Sequence, residues 1–421
     1  MKKISRRGFI EKGTITAFGM SVLPISFPII VQKSVFGAND RIRIGQIGCG
    51  ERGRNAHMEG VYKHVKDMNI EIVAVCDPWK VAREQANAKV KQWFGRDARQ
   101  FASYRELLEL NNIDAVMIAS PDHLHTTHLE ASALAGKHIY VEKPLAMEMD
   151  KLVRAVDAVK AAGTVVQVGT QIRSLPGIVG ARDLFQTGIL GKLSRVEECR
   201  NGEKPYWYLY LKEVNKDDVD WNEFLGDRPK RPFRADNYSG WYGYTDFSDG
   251  PMSGFGSHFI DMVHFITGAK FPESCVCLGS TFTWKDEHQF SCPDCVQATW
   301  IYPEGFLVSS SNNLGNSTGS VRNFYGDKGM LKADNWNAPT FSDKGSPRRD
   351  GTIKAGENPV KPVERPDHFL DWLQCIRNGG TPHAPIEAGY QHAIACLMAA
   401  KSYKTGRKTT YDHKKRVINI A

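Results

Sequence analysis

The chain has 421 residues, with 55 Lys plus Arg against 47 Asp plus Glu for a formal charge of +8, and it is 41% apolar and 24% charged. This composition excludes collagen-like, disordered and multispan membrane classes, and the length favours two domains over one core. The surplus charge is local: Lys2, Lys3, Arg6, Arg7, Lys12 and Lys33 against Glu11 put +5 in the first 38 residues and leave +3 for the rest, too weak a footprint for a nucleic-acid partner.

Ser5-Arg6-Arg7-Gly8-Phe9-Ile10-Glu11-Lys12 has a twin-arginine pattern, and the uncharged run from Gly13 to Val31 follows it. Residues 1–38 are read as a twin-arginine signal peptide ending near Val35-Phe36-Gly37-Ala38, with an uncleaved anchor as the alternative. Pro24 and Pro28 argue against a spanning helix, so no membrane span is expected in the mature form. The expected location is the periplasm or another exported compartment. Such a route carries folded proteins, often with a cofactor already inserted, into an oxidising environment.

Arg41 to Ile47 reads as a first strand entering Gly48-Cys49-Gly50-Glu51-Arg52-Gly53, a G-x-G-x-x-G turn, with a helix-compatible stretch to Val65. The glycines suit a tight turn, close approach to a pyrophosphate and a helix packed on its strand. The strand Glu71–Cys76 ends in Asp77, an acid placed to bind a ribose diol. NAD is therefore favoured over NADP, although Arg52 and Arg54 keep NADP possible. The alternation continues with a helix over Val81–Trp93, a short helix over Tyr104–Leu110 and a strand over Ile113–Ala119. The loop Ser120-Pro121-Asp122-His123-Leu124-His125, a helix to Ala135 and the strand His138–Val141 lead into Glu142-Lys143-Pro144. This pattern predicts an α/β fold with a doubly wound parallel sheet and a site at the strands' carboxyl ends. Lys143, after a buried-type strand, can polarise a substrate oxygen or relay a proton; its alternative is a surface lysine ending a strand. His123, His125 and His128 lack a Cys or carboxylate pair to complete a metal site, so none is assigned.

The ordered series resembles the glucose-fructose oxidoreductase / inositol dehydrogenase / rhizopine-catabolism (Gfo/Idh/MocA) oxidoreductases over nearly all of the chain after the leader. It comprises Gly48-Gly50-Gly53, Asp77, Ser120 to His125, Gly136-Lys137-His138, Glu142-Lys143-Pro144, Val168 to Arg173, Gly188 to Lys192 and Gly256 to Asp261. The resemblance implies a Rossmann domain over residues 39–165. It also implies a C-terminal α/β domain over residues 166–421, with an open, mostly antiparallel sheet that often mediates homo-oligomerisation. Members usually move a hydride between a sugar or cyclitol alcohol and nicotinamide. The candidate cofactor contacts are Gly48, Cys49, Gly50, Glu51, Arg52, Gly53, Asp77, Ser120, Asp122, His125, Glu142, Lys143 and Gln171. The resemblance makes Lys143 and His258 the catalytic pair, and Arg173, Tyr244 and His258 the candidate substrate contacts. Where the family has Asp-x-x-x-His, this chain has Gly254 in place of the Asp.

Strands and loops are expected to dominate after Val165. Tyr206-Trp207-Tyr208 and Trp241-Tyr242-Gly243-Tyr244 can stack on sugar rings or fill a core. Trp221 to Arg234 reads as a surface loop and Asp249 as a solvated turn residue. Cys275-Val276-Cys277 and Cys292-Pro293-Asp294-Cys295 leave zinc, a disulfide or free thiols open, with the first pair expected on opposite strand faces. Arg365 to Asn378 and Gly389 to Lys404 read as terminal helices. The expected function is oxidation or reduction of a carbohydrate by an exported enzyme with tightly held NAD(P). The alternatives are an NAD-dependent glycosidase using transient oxidation and a non-catalytic carbohydrate-binding protein.

Overall fold

The computed structural model describes residues 40–421, so the leader expected over 1–38 lies outside the described residues. Six strands, β1 (Ile42–Ile47), β2 (Ile70–Cys76), β3 (Arg99–Phe101), β4 (Ala115–Ile118), β5 (His138–Val141) and β6 (Val166–Val168), form a parallel sheet. Their order is β3-β2-β1-β4-β5-β6. Helices cover both faces, which is why β4 can be apolar and buried at every position. The chain leaves β1 toward β2 and returns on the other side as β4, so the loops after these two strands diverge and open a crevice. The helix expected from Gly53 starts wide-wound, in an i→i+5 pattern over Arg52–Met58, and tightens to α only over Glu59–Tyr62. Such bulged turns concentrate at functional sites.

The second sheet contains β7 (Leu193–Asn201), β8 (Ser274–Ser280), β9 (Cys295–Tyr302), β10 (Phe306–Asn313), β11 (Val321–Gly326), β12 (Met330–Lys332), β13 (Thr340–Ser342), β14 (Asn358–Pro359), β15 (Thr409–Asp412) and β16 (Val417–Ile420). All its neighbours are antiparallel except β7 and β10. Period-2 alternation sends Val296, Ala298, Trp300 and Tyr302 of β9 inward. The helix Ile386–Thr405 packs behind them, and Trp300 Nε1 donates to the Ala395 carbonyl at 3.0 Å. One apolar core thereby joins Val141 and Val168 of the first sheet to Phe324 and Trp300 of the second.

Three expectations are corrected. The helix Pro176–Gln186 stands in the region read as strand and loop; two glycines in its first five residues mask its helical propensity. Cys275 and Cys277 share the buried face, with exposed Val276 between them, because residues i and i+2 of a strand point the same way. Asp249 is buried and paired with Lys404 at 2.7 Å rather than solvated. All nine cysteines are free, no metal-type cluster occurs among the described residues, and none of the described helices is long and apolar enough to cross a membrane.

The two sheets are tied together within one compact unit, Gly37–Ala421. β6 lies beyond residue 165 yet completes the first sheet, and the late helix His368–Asn378 returns to that sheet, burying Trp372 and Leu373 against its outer face. Gln167 Nε2 donates to the His368 carbonyl at 2.6 Å, and the Val168 amide donates to the Ala384 carbonyl at 2.8 Å.

Candidate functional site

The turn after β1 is fixed by packing. Gly48 has φ +84°, and a Cβ there would lie 2.5 Å from the Ala119 backbone after β4. A Cβ at Gly53 would collide with the Gly48 carbonyl, whereas at Gly50 it would meet nothing within 4 Å. The turn is thus closed on the protein side and open on the cleft side, as close approach of a pyrophosphate requires. The cleft, open in part to solvent, spans about 1010 Å³ and is lined by Gly50, Glu51, Asp77, Ser120, Tyr210 and Tyr242 among others.

Asp77 faces this cleft from the end of β2. One carboxylate oxygen accepts the Cys49 amide at 2.7 Å; the other accepts the Trp79 amide at 2.8 Å and the Tyr238 hydroxyl at 3.2 Å. Burial pushes its pKa up, against these hydrogen bonds. Burial, followed by the charge of Asp77, also raises the pKa of Cys49, which keeps that thiol protonated and unreactive. Arg54 donates to the Cys49 carbonyl and Arg52 donates to Glu142 at 2.7 Å, so the two arginines offered to a 2′-phosphate are already engaged.

Glu142 lies at the centre of a buried network. It meets Arg52, His57 at 2.9 Å and Gln171 at 3.2 Å, while Gln171 also donates to the Tyr140 hydroxyl at 2.8 Å. Burial would push the Glu142 carboxyl up, but Arg52 and His57 hold it well below the usual range. His125 spans the Pro144 and Ser120 carbonyls at 2.7 and 2.8 Å, and Ser120 Oγ shares a hydrogen bond with His128 at 3.0 Å. These residues shape the loops rather than present free groups. Asp122 accepts from Ser248 Oγ at 2.8 Å, and burial pushes its carboxyl up to about 7.

The structure places Lys143 and His258 near each other. Lys143 Nζ donates to the Gly254 carbonyl at 2.9 Å, and His258 stands four residues further on, in the first turn of the helix Gly256–Thr267. Burial lowers the Lys143 pKa, opposed by Glu142 and Asp122. Burial and then Lys143 lower that of His258 far below the ordinary histidine value, so its ring is neutral at pH 7. His258 Nδ1 is buried with no hydrogen-bond partner.

Gly254 has an unforeseen neighbour. A Cβ at Gly254 would lie 2.6 Å from the Tyr206 hydroxyl, which is buried and has no hydrogen-bond partner. The phenol fills the space that a side chain at position 254 would enter. Tyr206 was visible in sequence only as one of three clustered aromatics; its partner at 254 lies 48 residues away and carries no side chain to pair with.

Two candidates lie elsewhere. Arg173 is committed to Asp261, to which its Nε donates at 2.8 and 3.0 Å, so it positions a buried carboxylate instead of a substrate. Burial would raise the Asp261 pKa, but Arg173 and His392 pull it far down. Tyr244 is buried beside Phe224 and Phe247, with its hydroxyl donated to the His288 carbonyl at 2.9 Å. Arg173→Ala strands a buried charge and is expected to cost about 3–5 kcal/mol in chemical denaturation; a loss below about 1 kcal/mol would show that His392 suffices.

The segment between Gly202 and Asp249, read in part as a surface loop, instead closes over the cleft. The Asp220 amide donates to the Pro78 carbonyl at 2.9 Å, Trp79 pairs with Val219, and the Phe224 carbonyl meets His123 Nε2 at 2.8 Å. Its irregular short helices have no sequence period that would betray this docking.

Comparison with known proteins agrees with this architecture. The family model described as "Oxidoreductase family, NAD-binding Rossmann fold" matches residues 42–170, and that for the C-terminal α/β domain matches residues 226–411. A glycosyl hydrolase family 109 protein of Shewanella sp. (strain ANA-3) is 30% identical over 174 residues, which are 37% of this chain and 37% of that protein. Levoglucosan dehydrogenase of Pseudarthrobacter phenanthrenivorans is 26% identical over 253 residues, 60% of this chain and 52% of the relative. The alignments therefore span only about a third to a half of these relatives. The crystal structure of aldose–aldose oxidoreductase from Caulobacter crescentus, complexed with glycerol, superposes with a TM-score of 0.66 at 16% identity, covering 88% of this chain and 99% of that one. Two matched domains that together span most of the sequence settle the relationship: the chain belongs to the Gfo/Idh/MocA oxidoreductase family, and its first domain is that family's NAD-binding Rossmann fold.

Proposed function

We propose that the chain is an exported NAD-dependent oxidoreductase acting on a secondary hydroxyl of a sugar or sugar derivative. The observation that carries this reading is the convergence of the Lys143 ammonium and the Tyr206 phenol on Gly254, one helical turn before neutral His258. NAD bound in the cleft supplies the hydride acceptor or donor. The open face at Gly50, the Asp77 carboxylate and Ser120 would hold it, and the engaged Arg52 and Arg54 favour NAD over NADP.

In the oxidative direction, neutral His258 accepts the substrate hydroxyl proton while Lys143 polarises the oxygen and stabilises developing negative charge on it. Glu142 opposes the burial that lowers the Lys143 pKa and so favours its ammonium form, and Arg52 and His57 keep Glu142 ionised. The twin-arginine pattern supports export, and closure of Gly202 to Asp249 over the cleft supports slow cofactor exchange. The outer face of the second sheet exposes Val276, Leu278 and Ile301, which supports homo-oligomerisation through that sheet.

Native mass spectrometry and absorbance of the purified protein test the reading: about one NAD(H) per chain is expected, with nicotinamide absorbance responding to sugars. Absence of dinucleotide together with failure to take up added NAD(H) would leave a carbohydrate-binding role. A redox-neutral glycosidase is the second reading, favoured by Gly254 in place of the family's Asp and by the glycosyl hydrolase family 109 relatives. Its signature is aglycone release with no acceptor sugar and no net change in nicotinamide absorbance.

A further inference from the structure

We propose that the sheet wall beside Lys143 and His258 holds a carboxylate on the substrate, seated between the Arg200 guanidinium and the Asn312 carboxamide, so that the preferred substrate is a sugar acid.

The register of β7 and β10 makes the arrangement. Val196, Glu198 and Arg200 pair in turn with Val308, Ser310 and Asn312, and the shared inward face is fixed by fully buried Val196 and Val308. Arg322 of β11 pairs with Glu198 and donates to it at 2.7 Å, and Ser310 Oγ lies 3.4 Å from the same carboxylate. Glu198 is therefore committed. Arg200, one step along the strand, makes no ion pair or hydrogen bond through its side chain with the described residues. Its guanidinium lies 3.6 Å over the ring of Phe255, next to the Gly254 that Lys143 contacts. Stacking fixes the plane of the guanidinium and leaves its edge donors available.

Asn312 is only 1% exposed, yet neither Oδ1 nor Nδ2 has a hydrogen-bond partner. A buried amide with both ends unsatisfied is rare and calls for a ligand or water. The charges agree. Arg52 is matched by Glu142, Arg322 by Glu198 and Arg173 by Asp261. Lys143 and Arg200 have no ion pair of their own among the described residues: Lys143 feels Glu142 and Asp122, whose carboxyl burial pushes up to about 7, and the only carboxylate that Arg200 feels is the Glu198 that Arg322 already holds. A neutral sugar offers Arg200 only uncharged hydroxyl acceptors, whereas a carboxylate accepts two N–H groups of the fork with charge assistance, and the Asn312 NH₂ can donate a third.

The inference rests on the proposed function only in placing the substrate against Lys143 and His258. Its test is calorimetric titration of the full protein, as purified with its cofactor, with two matched pairs: methyl glucuronide against methyl glucoside, and methyl galacturonide against methyl galactoside. At least one acid is expected to bind about 10- to 100-fold tighter than its neutral partner. Arg200→Ala should abolish that preference while retaining a cooperative melt, and Arg200→Lys should restore only part of it, because a single ammonium cannot form the fork. Equal affinity within both pairs, or a preference unchanged in Arg200→Ala, overturns the proposal. Tighter binding of glucose 6-phosphate than of either acid overturns the carboxylate assignment in favour of phosphate. The failure modes separate: acid preference without any nicotinamide signal sinks the redox reading alone, and a signal with neutral sugars only sinks the carboxylate seat alone.

Discussion

Exchange of Lys143 for alanine is expected to lower turnover of a responsive sugar by about 10²- to 10⁴-fold, and His258→Ala by a similar factor. The two groups act on one oxygen, so the double variant should lose little more than either single one. NAD content should stay near the wild-type level, since Lys143 bonds to Gly254 rather than to the glycine turn. Rates from rapid mixing, read beside the cofactor content of each variant, check this. Unchanged turnover in either variant removes that residue from the chemistry; loss of cofactor together with rate would make its role structural.

The second large effect is acid lability. In the unfolded chain histidine takes up a proton near pH 6.5. In the fold, burial depresses the pKa of His123, His128 and His264 to about 3 and that of His368 to about 4. Between those limits unfolding binds about one proton per ring, so stability is full above about pH 6.5 and falls as the pH drops, by about 1.4 kcal/mol per pH unit for each ring. Asp122 works the other way: its carboxyl, at about 7 in the fold, keeps a proton that the unfolded chain has released above about pH 4, so its contribution is lost as pH rises. Asp77 and Asp249, also raised by burial, add to that opposition. Four rings outweigh these few carboxyls, and urea midpoints should fall steeply between about pH 6 and 4.5. His264→Gln, which removes one such ring, should flatten the slope by about one proton. A pH-independent midpoint over that range would show that these rings titrate normally in the fold.

The first half of the site was legible in the sequence because its chemistry is local. The glycine turn, Asp77 and Lys143 each follow a strand whose apolar run is unmistakable, and the topology alone brings those strand ends together. His258 was legible only through the family resemblance. What stayed hidden depends on distant partners. Arg173 looked available until Asp261 appeared beside it, 88 residues on. Tyr206 gains its position from the missing side chain at 254, and Arg200 is distinguished by Arg322 claiming the neighbouring carboxylate. Tyr244 itself packs in a satellite core, while its neighbours Trp241 and Tyr242 line the cleft. Side-chain partnerships across strands and between domains leave no periodic trace, so composition and spacing could not allocate them.

The return of the helix His368–Asn378 to the first sheet has a consequence for biosynthesis. A nascent chain that has completed all six parallel strands still lacks Trp372 and Leu373, which seal that sheet's outer face, and the His368 and Ala384 carbonyls that tie down β6. The nucleotide-binding half therefore remains an unfinished, sticky intermediate until synthesis is nearly over, and a fragment cut after residue 170 would expose that apolar notch. Ribosome-bound chains should need a chaperone for most of their length, and cofactor capture should come late, after the C-terminal residues have closed the half that the N-terminal ones began.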